Sequence, residues 1–184
     1  MKLANLLSQF QSQGLESCFH GRHINPQIYA GLDGRNWTLA DYQSRGGYQA
    51  LRTMLGLNGE PAWTQDPVIA CVKESGSRGR GGAGFPTWIK WNGLPKNTDK
   101  PHYIICNADE GEPGTYKDRE LMLKLPHLLV EGMIIAGYAG LGTAGYIYIR
   151  GEYVEPAWQV RKAIDQAYKK GYLGKNILGI EGFN

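Results

Sequence analysis

Two apolar runs that resemble β-strands, with helical patterns between and after them, constrain the fold of this chain most strongly. Residues 102–106 (HYIIC) are followed at once by polar residues, and residues 145–150 (GYIYIR) precede a helical pattern that begins at Glu155 and Pro156. A further helix is expected from Pro126 to about residue 140. Strands that alternate with helices are typical of α/β folds. Because ligands of open α/β sheets bind beyond the carboxyl ends of the strands, the polar residues after residue 106 are a candidate site.

The apolar stretch 128–149 imitates a membrane span, because Glu131 is its one charged residue. Six positions within it are not strong apolar anchors, which argues against a span: Gly132, Gly137, Gly140, Gly142, Thr143 and Gly145. We interpret the stretch as a buried helix followed by a buried strand, and we expect no direct membrane span.

Composition limits the class of protein. With 184 residues, 42% apolar and 20% charged, the chain can form one domain, or one domain with an arm, and is neither disordered nor collagen-like. A net charge of +3 is too small to indicate nucleic-acid or membrane binding. Three cysteines without CxxC spacing cannot supply a four-thiolate zinc or iron–sulfur site. Leu3, Leu6, Leu7 and Phe10 have the spacing of an amphipathic helix and not of a signal peptide, so a cytosolic protein is expected.

Helix-start signals divide the chain into an arm with the first helices, over residues 1–65, and an α/β domain over residues 66–184. Thr38 and Asp41 are spaced as a capping box. Helical spacing then continues to Gly56 through Tyr48, Leu51 and Leu55.

Later helices have similar signals. Asp66 and Pro67 are expected to be the N-cap and the first residue of a short helix, with Val68, Ile69 and Val72 on one face. Thr115 is expected to cap a helix over residues 116–124. The last helix ends at Gly171 and is expected to have Ala157, Val160, Ile164, Ala167 and Tyr168 on one face.

The glycine-rich segment 77–90 (SRGRGGAGFPTWIK) carries the clearest chemical signal. Gly79, Gly81 and Gly84 satisfy G-x-G-x-x-G, but the residues before them have a helical pattern, so the dinucleotide fingerprint lacks its preceding strand. Successive glycine N–H groups can still wrap an anion or lie against a flat ring, with positive charge from Arg78, Arg80 and Lys90. The alternative is a mobile surface loop.

A second polar segment, residues 107–119 (NADEGEPGTYKDR), follows the first strand and is rich in carboxylates. The alternative is a solvated acidic turn around Pro113 and Gly114. Cations and amides suit phosphates, whereas carboxylates and an asparagine suit hydroxyls and ring N–H groups. The two segments together therefore indicate a nucleotide cofactor.

Other patterns are weaker. Cys18, His20 and His23 could begin a metal site, but no fourth ligand is spaced with them, so no metal site is expected. Residues 78–82 have the form of an RGG element, which leaves RNA binding as a remote alternative, although such elements normally recur in disordered tracts.

Six segments together closely resemble the FMN- and NADH-binding flavoprotein subunits of bacterial respiratory complex I, the NADH:quinone oxidoreductase. They are residues 79–87 (GRGGAGFPT), 89–91 (IKW), 107–119, 126–133 (PHLLVEGM), 145–153 (GYIYIRGEY) and 171–176 (GYLGKN). NAD-reducing hydrogenases and NAD-dependent formate dehydrogenases carry a similar subunit, which leaves a diaphorase role as the alternative. Residues 23–52 favour the bacterial complex I branch.

The resemblance implies a Rossmann-like FMN-binding domain, here incomplete, in which NADH passes a hydride to FMN and electrons leave for iron–sulfur clusters. Positions that match FMN-binding residues of the family are Gly79, Arg80, Gly81, Lys90, Asn107, Asp109 and Glu110. Positions that match dinucleotide contacts are Gly81, Gly82, Ala83, Phe85, Lys90 and Glu112, and Gly84 lies in the same cofactor-binding segment. Glu112 is expected near the nicotinamide, so "catalytic" here means that it positions the ring.

The resemblance also implies an assembly. The expected partners are a thioredoxin-like [2Fe–2S] subunit and the large iron–sulfur subunit, with the complex on the cytoplasmic side of the inner membrane. Trp88 and the pair Asn92 and Gly93 depart from the family pattern and change the expected wall of the NADH pocket. Family members continue beyond the equivalent of Asn184 into a second FMN segment and a [4Fe–4S] domain, so the 184-residue chain by itself is expected to be inactive.

Overall fold

The computed structural model describes residues 28–33, 35 and 37–184. The chain divides into two compact units, Met1–Gly46 and Gly47–Asn184. The expected N-terminal amphipathic helix and the group Cys18, His20 and His23 lie outside the described residues. The domain boundary expected at residues 65 and 66 stays a prediction.

In the first unit, helix α1 (Leu39–Ser44) begins with the predicted capping box. Thr38 has extended backbone angles, and its hydroxyl accepts a hydrogen bond from the Asp41 backbone N–H at 3.2 Å. The Asp41 carboxylate in turn accepts from the Thr38 N–H at 3.0 Å. Hydrogen bonds from the Thr38 side chain and backbone lower the pKa of Asp41. The prediction is confirmed because a capping box needs residues only three positions apart.

Helix α2 (Gln49–Met54) is a separate helix, and the prediction of one helical run to Gly56 is wrong. Gly46 and Tyr48 both have positive φ, at 89° and 62°, which breaks the helical path between residues 45 and 48. A distant side chain holds the new start: the Glu131 carboxylate accepts hydrogen bonds from the backbone N–H groups of Tyr48 at 2.7 Å and Leu51 at 3.2 Å. Tertiary contacts therefore favour a start that sequence periodicity does not show.

Helix α3 (Gln65–Glu74) precedes the glycine-rich segment, as predicted, and buries Val68 and Ile69. The predicted N-cap is wrong, because Thr64 and not Asp66 occupies that position. Thr64 keeps extended backbone angles, and Pro67 is the third helical residue. Proline is harmless there since the first four N–H groups of a helix have no intrahelical acceptor.

The sheet contains two parallel strands in the described part of the chain, β1 (His102–Ala108) and β2 (Gly142–Ile149). Ile104 pairs with Gly145, and Ala108 with Ile149. The crossover between the strands consists of α5 (Lys117–Lys124) and α6 (Pro126–Ala139). Both strands are predicted correctly in place: β1 extends two residues beyond its predicted end, whereas β2 begins three residues before its predicted start and ends one residue before its predicted end.

Helix α7 (Val154–Lys169) follows β2 as predicted. Of the residues predicted to share one face, Val160 and Ala167 are buried, whereas Tyr168 is 57% exposed, and Ala163 is buried as well. A core cluster of this unit joins β1, α5 and α7 through Ala108, Met122 and Val160. A short 3₁₀ turn, Ile177–Gly179, follows α7.

One face of the sheet is covered and the other is open, which corrects the expectation that β2 is a buried strand. Tyr103 and Ile105 of β1 and Tyr146 and Tyr148 of β2 are each more than half exposed. Alternate residues of a strand point to opposite faces, so these four side chains share the open face. Parallel sheets normally have both faces covered.

No single helix among residues 28–33, 35 and 37–184 is long and apolar enough to cross a membrane. The adjacent helices α5 and α6 are long and apolar enough only when taken together, and they meet at a bend of 97°. The interpretation of residues 128–149 as a helix followed by a strand is confirmed.

His127 gives this unit a pH-dependent stability. Its ring is buried and lies between the Tyr48 hydroxyl, 3.1 Å from Nδ1, and the Gln166 side-chain oxygen, 2.8 Å from Nε2. Burial lowers the pKa of His127, and the Gln166 hydrogen bond partly offsets this. The folded chain therefore binds the proton less readily than the unfolded chain.

We expect the free energy of unfolding to be highest above the ordinary histidine pKa and to decrease as pH falls from there towards the lowered pKa. The slope approaches about 1.4 kcal/mol per pH unit in that window. Urea titrations at about pH 7.5 and about pH 5.5 measure it. His127→Gln keeps an uncharged hydrogen-bonding side chain and should lose this part of the slope; an unchanged slope would contradict the assignment.

Candidate functional site

The glycine-rich segment forms a closed hairpin over residues 78–86, here called the glycine hairpin. Arg78 and Pro86 form an antiparallel bridge, and the Gly79 N–H donates to the Phe85 carbonyl at 2.9 Å. Next to them, the Thr87 N–H donates to the Ser77 carbonyl at 3.0 Å. The Arg78 guanidinium donates to the Gly84 carbonyl at 3.0 Å. The segment therefore has a defined neck and is not an open loop.

The tip of the glycine hairpin faces open space. A Cβ atom built on Gly81 or Gly82 would meet no atom within 4 Å. Gly82 has φ of 131° and Gly84 has φ of 60°, and glycine adopts such angles at little cost. Arg80 and Ala83 are exposed in the same turn. Bare peptide groups and one guanidinium are therefore available to a ligand.

Helix α4 (Thr87–Asn92) follows the glycine hairpin, and one cation of α4 and one of α3 lie against aromatic rings in this region. The Lys90 ammonium lies 5.9 Å from the centre of the Phe85 ring, which is 45% exposed. The Lys73 ammonium at the end of α3 lies 4.6 Å from the centre of the Trp88 ring. Within the described ranges, no carboxylate forms an ion pair with Arg80 or Lys90. Both charges are available to an anionic ligand.

A second group of polar residues lies at and beyond the carboxyl end of β1, as predicted, with Asn107 still within the strand. The Asn107 side-chain oxygen accepts a hydrogen bond from the Asp109 N–H at 3.1 Å, which shapes the turn. Asn107, Asp109 and Glu112 are exposed. The Glu112 backbone carbonyl accepts from the Thr115 N–H at 3.1 Å. The remaining polar groups of these side chains can reach solvent or a ligand.

Glu110 differs from these neighbours because it is buried, with 4% of its surface exposed. Its carboxylate accepts the backbone N–H groups of Asp118 at 3.0 Å and Arg119 at 3.2 Å, at the start of α5. It also accepts the Tyr153 hydroxyl at 3.1 Å, and the Lys117 ammonium lies 3.6 Å away. Both oxygens are thus occupied by protein donors.

Glu110 therefore caps α5, and the prediction that Thr115 caps this helix is wrong. Tyr116 is the N-cap residue and makes no side-chain capping bond. Although burial raises the pKa of Glu110, hydrogen bonds from Asp118, Arg119 and Tyr153 and the charge of Lys117 lower it overall. The carboxylate is held ionised at a helix N-terminus, where negative charge is favoured.

Arg150 and Tyr153 contact the candidate site, and the sequence did not single them out. The Arg150 guanidinium donates to the Glu110 backbone carbonyl at 3.0 Å, and the Tyr153 hydroxyl reaches the Glu110 carboxylate. Both follow β2 directly, and parallel strands end at the same edge of a sheet. That position is the signal that could have identified them.

The structure thus forms two polar groups. The first joins Gly79, Phe85 and Lys90 around the glycine hairpin, and the second joins Asn107, Asp109 and Glu110 at the carboxyl end of β1. No hydrogen bond or ion pair links the two groups in the described part of the chain. Among those residues, no cluster of three or more histidines, cysteines or carboxylates could hold a metal ion.

Comparison with known proteins identifies the family. A family described as the Nuo51 FMN-binding domain matches residues 72–181, which is more than half of the chain. A Rhizobium meliloti subunit of NADH-quinone oxidoreductase is 51% identical over 79% of this chain and 33% of its own length. An Escherichia coli subunit of NADH-quinone oxidoreductase is 50% identical over 77% of this chain and 31% of its own length. The chain spans about a third of these relatives.

Solved structures agree with this relationship. An NAD+-reducing [NiFe]-hydrogenase in the air-oxidized state superposes with a TM-score of 0.59 and 34% identity, over 79% of this chain and 25% of the hydrogenase chain. The same kind of hydrogenase in the H2-reduced state gives a TM-score of 0.54 and 43% identity over 57% of this chain and 18% of its own. The family match, the relatives and the shared fold agree: the chain belongs to the Nuo51 FMN-binding family and is similar to the N-terminal part of a subunit of NADH-quinone oxidoreductase.

Proposed function

We propose that the chain is part of a flavoprotein subunit that binds FMN and NADH and oxidises NADH within a respiratory NADH:quinone oxidoreductase. The observation that carries the proposal is the glycine hairpin. Its tip exposes peptide groups around Arg80, the Lys90 ammonium lies against the Phe85 ring, and the hairpin lies inside the segment that matches the FMN-binding family. An anionic cofactor fits such a site because peptide N–H groups and unpaired cations both favour negative charge.

The residues around the hairpin fit the two halves of a flavin nucleotide. The N–H groups of residues 80–82, with Arg80 and Lys90, suit its phosphate, and Asn107 and Asp109 suit its polar ring and hydroxyl groups. When bound, FMN supplies the ring that accepts a hydride. Phe85 offers an exposed face for stacking an adenine, and Glu112 is proposed to hold the nicotinamide in place.

Glu110 takes part differently from what the family resemblance implies. Its carboxylate is engaged with the start of α5 and with Tyr153, so we propose that it acts by fixing the turn that carries Asn107, Asp109 and Glu112. A buried, fully bonded carboxylate is a rigid anchor because each of its bonds would be lost if it moved.

The complete domain is proposed to be Rossmann-like and larger than the part described. The open sheet face of β1 and β2 is apolar, and the chain spans only about a third of the length of its relatives. Further strands and covering helices from the rest of such a subunit would bury that face, as parallel sheets require. The [4Fe–4S] ligands are likewise proposed to lie in that remainder, and the 184-residue chain by itself is proposed to be inactive.

The proposed partners are iron–sulfur subunits of the complex, a thioredoxin-like [2Fe–2S] subunit and the large subunit, which would receive the electrons. The proposed location is the cytoplasmic side of the inner membrane, at the periphery of the complex. The support is the similarity to proteins named as subunits of NADH-quinone oxidoreductase.

The diaphorase subunit of an NAD-reducing hydrogenase or formate dehydrogenase is the second candidate. The fold shared with the NAD+-reducing hydrogenase supports it. The NADH-quinone oxidoreductase relatives are more similar in sequence, at 50–51% identity against 34% over a similar share of this chain. RNA binding is disfavoured because Arg78 and Gly79 of the RGG-like segment are bonded within a folded hairpin.

Glu112→Gln tests the site in the purified complex. We expect flavin content to stay unchanged and NADH oxidation with an artificial electron acceptor to decrease about tenfold, since the variant removes one charge-assisted contact to the nucleotide. Steady-state kinetics and the flavin absorbance measure the two effects.

Glu74→Gln is the matched control, because Glu74 is an exposed carboxylate at the end of α3. Unchanged kinetics in Glu112→Gln would contradict the role of Glu112. Absence of flavin from the intact complex would contradict the proposed function as a whole and would favour a paralogue that keeps only the fold.

A further inference from the structure

We propose that Arg78 is a positioning residue of this site, whose guanidinium ties the neck of the glycine hairpin and so prepares the tip for its ligand. The inference rests on the proposed function, because it concerns how the hairpin is prepared to bind FMN. Arg78 is not among the residues to which the family resemblance gives a cofactor contact.

The position of the Arg78 hydrogen bond supports this role. The guanidinium reaches across the hairpin to the Gly84 carbonyl, six residues along the chain, at 3.0 Å. The backbone bond from Gly79 to Phe85 and the bond from Thr87 to Ser77 lie on the same neck. Of these bonds, the Arg78 bond is made by a charged side chain, and charge-assisted hydrogen bonds are stronger than neutral ones.

The composition of the tip explains why such a tie matters. Gly81 and Gly82 have no neighbouring atom where a Cβ would stand, so packing does not restrict their peptide groups. Glycine has the largest conformational freedom to lose when a ligand orders it. A tied neck reduces that freedom before binding, so less binding free energy is spent on ordering the tip.

Arg80 is arranged differently from Arg78. It is exposed and forms no ion pair or hydrogen bond within the residues described, whereas the guanidinium of Arg78 is already engaged with Gly84. The two arginines of the segment therefore have different roles: Arg80 is free to contact a ligand, and Arg78 shapes the hairpin.

A simpler role for Arg78 is positive charge alone, and a cross-link distinguishes the two. The side-chain oxygens of Ser77 and Thr87 lie 3.4 Å apart across the same neck. A disulfide in the double variant Ser77→Cys, Thr87→Cys would close the neck without restoring any charge. Closure should therefore rescue the loss of Arg78 if its role is geometric, and should not if its role is electrostatic.

The experiment uses the complete purified subunit with its flavin removed. Two quantities are measured: the rate at which trypsin cuts the bond after Arg80, followed by mass spectrometry, and the dissociation constant for added FMN. Arg78→Met should raise each of them about tenfold, since it removes a hydrogen bond from a charged donor. When the cysteine pair is introduced into Arg78→Met and oxidised, the cleavage rate and the dissociation constant should return to within about twofold of wild type. Reducing the disulfide should abolish this rescue.

Lys100→Met is the control for charge, because Lys100 is an exposed lysine outside the hairpin. It should change neither quantity. The proposal is overturned if Arg78→Met leaves the cleavage rate unchanged, or if the disulfide forms without rescuing FMN binding. If the wild-type protein binds no FMN, the proposed function fails, whereas the cleavage rates still decide whether Arg78 ties the neck.

Discussion

Replacing Lys90 by methionine is expected to weaken FMN binding by about 10- to 100-fold, the range that corresponds to loss of a charge-assisted hydrogen bond. Lys90 lies on α4, beside the glycine hairpin, and no carboxylate neutralises it in the described part of the chain. The Lys90 ammonium lies against the Phe85 ring. This contact restricts the position of the ammonium and leaves its positive charge available to a ligand. Lys90→Met would therefore remove a preformed cationic partner of an anion bound at the hairpin.

Flavin content per polypeptide in the purified complex measures the effect, with NADH oxidation as a second readout. Lys90→Arg should retain most of the flavin because it keeps the charge. Lys100→Met removes an equal charge from an exposed position outside the hairpin and should leave the flavin in place. Normal flavin content in Lys90→Met would exclude Lys90 as a phosphate-binding residue.

Replacing Glu110 by glutamine is expected to lower the free energy of unfolding by about 2–3 kcal/mol, because it leaves backbone donors at a buried helix start without an anionic acceptor. In glutamine, an NH₂ group replaces one carboxylate oxygen. This hydrogen-bond donor then faces donors of the protein that the carboxylate accepted from. Urea unfolding of the complete subunit measures the difference. Asp165→Asn makes the same chemical change in an exposed pair with Arg161 and should cost less than about 0.5 kcal/mol.

The Glu110 carboxylate also makes the free energy of unfolding depend on pH. Because the folded pKa of Glu110 is lowered, its contribution is complete above the ordinary glutamate value and is lost as pH falls through the lowered pKa. Glu110→Gln should remove this dependence. Equal stability of Glu110→Gln and wild type would show that the cap contributes nothing.

The sequence could predict features that depend on neighbouring residues. The capping box of Thr38 and Asp41 spans three positions, and the order of β1, α6, β2 and α7 follows from periodicity within each segment. The glycine-rich segment could also be singled out, because an unusual density of one residue type needs no knowledge of the fold. These predictions hold since the interactions behind them are local.

Predictions failed where a partner comes from far along the chain. The start of α2 is held by Glu131, about 80 residues later, and the start of α5 by Glu110 and not by the adjacent Thr115. Nothing in the local pattern distinguishes Glu110 from Asp109, although one is buried and the other exposed. Burial is decided by the whole fold.

What the sequence by itself determined is the family, the alternation of helices and strands, and the residue types of the proposed nucleotide site. What only the tertiary structure decided is the use of each group: Glu110 caps a helix, Arg78 closes the hairpin neck, and Arg80 and Lys90 keep their charges available. The physical reason is that a residue type sets which bonds a side chain can make, whereas the donors and acceptors brought to it by packing set which bonds it does make.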